Sequence, residues 1–98
     1  MGMITVHKFP LSMKAGIQEV QMPGAARILK IDLQHGEPMI WALVNDGIRI
    51  LEPRKFIVIG TGHPLLDGCM ADADNYRHID TVQAGHFVWH FFEIVEEQ

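Results

Sequence analysis

The chain predicts an all-β fold, an antiparallel β-sandwich or small barrel of about seven short strands. Three observations carry that expectation. Short apolar runs recur, each bounded by Gly, Pro, Asn or Asp. None sustains the i, i+3, i+4, i+7 spacing of an amphipathic helix over three turns. The runs follow one another through turns, without the crossover helices that an α/β sheet requires.

The first strand is Ile4 to Phe9, closed by Pro10, and the second is Ile17 to Met22, closed by Pro23-Gly24. In the third, Ile28 to Gln34, alternation puts Leu29, Ile31 and Leu33 on one face and Lys30, Asp32 and Gln34 on the other. His35-Gly36-Glu37 reads as a tight hairpin turn into Pro38 to Val44. There Met39, Trp41 and Leu43 oppose Ile40, Ala42 and Val44, so both faces are apolar and a central strand is expected. Asn45-Asp46-Gly47 is a strong turn signal. Ile48 to Leu51 is either a short strand or part of a connection ending at Pro53, and Lys55 to Gly60 is the next firm strand. His63 to Tyr76 lacks periodicity and is expected to be a long loop. Arg77 to Gln83 and Phe87 to Val95 form a last hairpin around Ala84-Gly85, followed by the polar tail Glu96-Glu97-Gln98.

At 98 residues the chain, 1–98, is expected to be one β domain, because a second core would have too few residues. Apolar residues make up 48%, enough for a core without metal or disulfide staples. Cys69 is the only cysteine, which excludes an internal disulfide and a multi-cysteine zinc site and fits a reducing compartment. No long apolar segment opens the chain, and no run approaches the roughly 18 apolar residues of a membrane span. A cytoplasmic protein with no membrane partner is expected. The net charge of −4, with eight scattered basic residues, argues against nucleic acid and against a phosphate-binding surface.

Gly60-Thr61-Gly62-His63-Pro64, directly after Phe56-Ile57-Val58-Ile59, is the candidate site. Two glycines and a proline around one imidazole mean a sharp backbone turn at a strand end, with His63 held at the junction. Gly60, Thr61, Gly62, His63 and His90 are the candidate ligand-binding residues. An ordinary strand-ending turn has the same appearance. Successive N–H groups at Gly60-Thr61-Gly62 would allow an anion nest, but no GK[ST] ending or following helix makes it a P-loop. Thr61 beside His63 would be an activated hydroxyl only with an orienting carboxylate, which the sequence does not identify.

A metal site on His63, His86 and His90 is opposed by spacing, since i and i+4 on a regular strand lie about 13 Å apart. The acidic segment Asp67, Asp72, Asp74 lacks the alternation and closing Glu of an EF-hand. Cys69 has no identifiable partner. No catalytic set, metal or cofactor is expected.

Lys8-Phe9-Pro10, Met22-Pro23-Gly24-Ala25, Trp41-Ala42-Leu43-Val44, Gly60-Thr61-Gly62-His63-Pro64 and Phe87-Val88-Trp89-His90-Phe91-Phe92-Glu93 together resemble a family of small tailed-phage and prophage proteins of unknown function. The resemblance implies a phage-encoded protein acting in a bacterial host cytoplasm, and it supplies no catalytic residues. Small size and the lack of a catalytic set then favour a non-catalytic binding protein, one that antagonises a host defence component or sequesters a small signalling molecule. The alternative is a small metal-dependent hydrolase using His63 and His90. The apolar surplus of the last strand, Phe87, Trp89 and Phe91 against Val88, Phe92 and Ile94, leads us to expect a homodimer.

Overall fold

The computed structural model describes residues 2–14, 16–66 and 70–95. Asp67, Cys69 and the tail from Glu96 lie outside the described residues. Seven antiparallel strands form two sheets: β1 (Ile4–Pro10), β2 (Ile17–Pro23), β3 (Arg27–Gln34), β4 (Glu37–Asn45), β5 (Leu51–Gly60), β6 (Tyr76–Ala84) and β7 (Phe87–Ile94). One sheet has the order β1-β4-β3 and the other β2-β5-β7-β6, giving a sandwich. The expected loop before β6 contains a 3₁₀ helix, Met70–Asn75, the kind of short piece that serves as a connector.

The core sits between the sheets. Ile31, Ile40, Ala42 and Val44 face it from one side and Met22, Phe56, Val58, Val82 and Phe91 from the other. β4 shows the pattern most clearly, since Pro38, Ile40, Ala42 and Val44 are buried and the residues between them are not. β4 is the central strand of its sheet, but its second face is not covered as its apolar residues suggested. Trp41 is only half-buried on that outward face, with the Lys8 ammonium 5.8 Å from its ring centroid. The reason is that the sheet has a partner on one side only.

Turn chemistry follows the sequence closely. His35 (φ 53°) and Gly36 (φ 81°) give the β3–β4 hairpin a type I′ turn, and Gly85 (φ 62°) opens a type II′ turn between Ala84 and Phe87. β5 absorbs the ambiguous Leu51 and runs through Pro53. Proline is tolerated there because β7 pairs with β5 only from Lys55 onward. At the corner between β2 and β3, Ala26 N–H donates to the Pro23 carbonyl at 3.2 Å, and Ala25 takes a left-handed φ of 62°.

Two bulges depart from regular alternation. In β3 the register slips between Ile28 and Lys30, so Leu29 leaves the face expected to contain it with Ile31 and Leu33 and is half exposed. In β6 it slips between His78 and Asp80, which lets Ile79 pack against the core while Asp80 reaches across to β3. There the Asp80 carboxylate accepts the Ile31 N–H at 3.2 Å and joins the facing edges of the two sheets.

Candidate functional site

β5 ends in the turn that the sequence singled out. His63 N–H donates to the Gly60 carbonyl at 3.0 Å, and Gly62 carries a φ of 88° that Thr61 does not share. This is a type II turn, whose third position favours glycine. Thr61 N–H donates to the Val88 carbonyl at 3.2 Å, extending the ladder to β7. With the Thr61 and His63 N–H groups engaged, the turn does not offer the anion nest that its glycines suggested.

The site residues divide between the two faces of the sheet. Gly60 pairs with Trp89 on the inward face, and the His63 ring lies against it. A Cβ at Gly60 would sit 3.0 Å from His63 Nδ1 and 3.4 Å from the Trp89 ring, so the missing side chain is what admits the imidazole. Two adjoining cavities meet at Gly60, His63 and Trp89. One, about 400 Å³, is lined further by Met13, Val58 and Pro64, and the other, about 350 Å³, by Thr61, His86, Phe87 and Val88.

His90 follows Trp89 along β7 and therefore points to the opposite, outward face. Its Nε2 lies 2.7 Å from Thr61 Oγ1 and its Nδ1 3.0 Å from Thr81 Oγ1. Thr81 Oγ1 in turn lies 2.8 Å from His78 Nε2, and the His78 ring stands edge-on to Phe92 at 5.4 Å. Four side chains thus form a hydrogen-bonded row across β6, β7 and the end of β5. The structure brings Thr61 to His90 and leaves His63 on the other side. Among the described residues, no cluster of three or more His, Cys, Asp or Glu is placed to hold a metal ion. Of the acidic segment, Asp72 and Asp74 fall in the 3₁₀ helix.

At the opposite end of β5 lies a polar centre that sequence reasoning missed. Glu93 is 4% exposed on the inward face of β7. Arg54 donates Nε and Nη2 to its two carboxylate oxygens, and Arg77 donates Nη2 to Oε1 at 2.8 Å. Arg54 Nη1 also donates to the Ala26 carbonyl at 2.8 Å, which ties the corner of one sheet to the other. Burial pushes the Glu93 carboxyl up, and the two guanidinium groups outweigh it, holding the carboxyl below its ordinary value.

Above this centre the seam between β3 and β6 opens into a cleft of about 470 Å³, where both strands bulge. Arg27, Arg54 and Arg77 line it, so three of the basic residues that look scattered in sequence converge. One signal was available. A glutamate continuing the Phe87, Trp89, Phe91 alternation is directed inward and needs a cationic partner.

Fold and site define a small two-sheet β-sandwich with an apolar cleft at one end and a basic cleft along one seam. The chain belongs to a family described as a domain of unknown function, DUF7352, which matches residues 3–98. No curated protein and no solved structure matches it. No helix among the described residues is long and apolar enough to cross a membrane.

Proposed function

We propose that this domain is a non-catalytic binding protein that holds a small, largely apolar ligand at the Gly60–Pro64 end of the sandwich. The observation that carries the reading is the pair of cavities meeting at Trp89, Gly60 and His63. Their volumes and mainly apolar walls suit a small molecule, with His63 and Thr61 as the few polar contacts that fix orientation. The resemblance to tailed-phage proteins suggests a bacterial host cytoplasm as the setting, and sequestration of a small signalling molecule suits cavities of this size better than blockade of a host protein.

The hydrolase reading has less support. His63 and His90 lie on opposite faces of the sheet. The one hydroxyl–imidazole pair at the turn, Thr61 with His90, is backed by the Thr81 hydroxyl, where a hydrolytic triad presents a carboxylate to stabilise the imidazolium.

The test is a ligand-observed NMR screen of planar heterocycles, followed by titration of labelled protein. Hits should shift the Trp89 indole and the Gly60–His63 amides and lose affinity in His63→Ala. Hits that perturb only other surfaces would overturn the reading.

Dimerisation is part of the proposal. The outward face of the four-stranded sheet carries Ile17, which is 62% exposed, beside Ile57, Ile59 and Phe92. A two-fold dimer through this face should give twice the chain mass by light scattering, and Phe92→Glu should return it to a monomer. A monomer mass for the unaltered chain would remove this part of the proposal.

A further inference from the structure

The seam cleft is separate from the end cleft, since Arg54 lies near the start of β5 and Gly60 closes it. Its charge is unbalanced. Glu93 accepts from Arg54 and Arg77, while Arg27 has no hydrogen-bond or ion-pair partner among the described residues. The other seam carboxylate, Asp80, is turned to the backbone N–H groups of Ile31 and Thr81. Three guanidiniums line a cleft of about 470 Å³ against Glu93, and with Asp80 counted at the seam one positive charge is left uncompensated.

The donors are equally unbalanced. Arg54 is held rigid by Glu93 and Ala26, whereas the Arg77 side chain is 60% exposed and uses only one of its three nitrogens. Arg54 and Arg77 belong to one sheet and meet at Glu93, and Arg27 lines the cleft from the start of the facing edge strand β3. A planar carboxylate is satisfied by one guanidinium fork, but a tetrahedral dianion accepts donors from several directions at once.

We propose that this cleft binds the phosphate dianion of a small phosphorylated molecule, with Arg27 and Arg77 as its direct donors and Arg54, pinned by Glu93, as the fixed positive wall. Both strands bulge where they line the cleft, β3 at Leu29 against β4 and β6 at Ile79 against β7. The net charge of −4 over the whole chain disfavours a long polyanion and fits a ligand small enough to lie within the cleft.

Calorimetric titration of the full chain with inorganic phosphate, sulfate and acetate tests this. Phosphate and sulfate should bind, with acetate weaker by about tenfold, and affinity for phosphate should fall about tenfold in Arg77→Gln and in Arg27→Gln. Arg27→Gln removes no side-chain hydrogen bond or ion pair among the described residues, so its melting temperature should equal that of the unaltered chain and its result stands even if Arg77→Gln is destabilised. His63→Ala should leave phosphate affinity unchanged. Absence of phosphate binding up to about 10 mM, or binding that neither arginine substitution weakens, would overturn the proposal.

Discussion

Arg54 stands diagonal to Glu93 across β5 and β7 and donates to both of its carboxylate oxygens. Glu93 is thereby the anchor for two cations at one end of the inward face.

Its consequence for pH dependence has a definite sign. Because the folded carboxyl is held below its ordinary value, Glu93 contributes stability that is fully present above that ordinary value, about 4.3. The contribution is lost as pH falls through the lower, folded value. Urea midpoints measured from pH 7 to pH 3 should fall at the acid end, and the fall should be shallower in Glu93→Gln. Equal slopes for the two proteins would mean that Glu93 does not couple folding to protons.

Removing only the anion is a harsher change. Glu93→Ala leaves Arg54 largely buried beside an empty site, and we expect a loss of about 3–5 kcal/mol in chemical denaturation. The paired change of Arg54 and Glu93 to Met and Leu should cost less than either single truncation.

Gly60 and His63 are coupled by contact. Gly60→Ala places a methyl 3.0 Å from the imidazole and should cost about 1 kcal/mol. The same change in a His63→Ala background should cost almost nothing, so a double-mutant cycle measures the contact directly. Additive losses would show that the methyl is opposed by Trp89 instead.

The two sides of the sandwich predict unequal costs for aromatic truncation. Phe91 is fully buried, so Phe91→Ala should lose about 3–5 kcal/mol. Trp41 lies on the outward face of β4 under Lys8, and Trp41→Ala should lose about 1–2 kcal/mol. Comparable midpoints for the two variants would contradict the outward placement of Trp41.

Ala25 holds a left-handed φ of 62° at the β2–β3 corner. Ala25→Gly relieves that strain and should stabilise the fold by about 0.5–1 kcal/mol, read as a higher melting temperature. An unchanged or lower melting temperature would indicate that the corner is not strained.

Strand positions were legible in the sequence because period-two alternation and turn residues are local signals. The hairpin at His35-Gly36 and the β6–β7 turn at Gly85 show this, since each turn type follows from φ preferences of two residues. Sheet membership is not local. The outward placement of Trp41 depends on which sheet covers β4, and an apolar residue carries no mark of that. The bulges at Leu29 and Ile79 were invisible for a related reason, because each looks like one more apolar residue in a run. His63 and His90 present the same imidazole to a reader of the sequence, and one residue of register past Trp89 places them on opposite faces. The convergence of Arg27, Arg54 and Arg77 required the pairing of β5 with β7 and the seam between β3 and β6, which only the assembled fold supplies.

The strand pairings also constrain how the chain reaches this state. β1 pairs with β4 and β2 pairs with β5, so each pairing closes a segment that contains one partner of the other. The N-terminal half holds all of β1-β4-β3 together with β2, whose partner β5 lies in the other half, and no single hairpin other than β3–β4 or β6–β7 forms from neighbouring residues. Folding must therefore wait for contacts between distant segments, which makes it slow relative to helical domains of this size and strongly cooperative. Cleavage within the β4–β5 connection would leave one fragment with the whole three-stranded sheet and an unpaired β2, and another with β5, β7 and β6 but no facing sheet, so each would depend on the other to close the core.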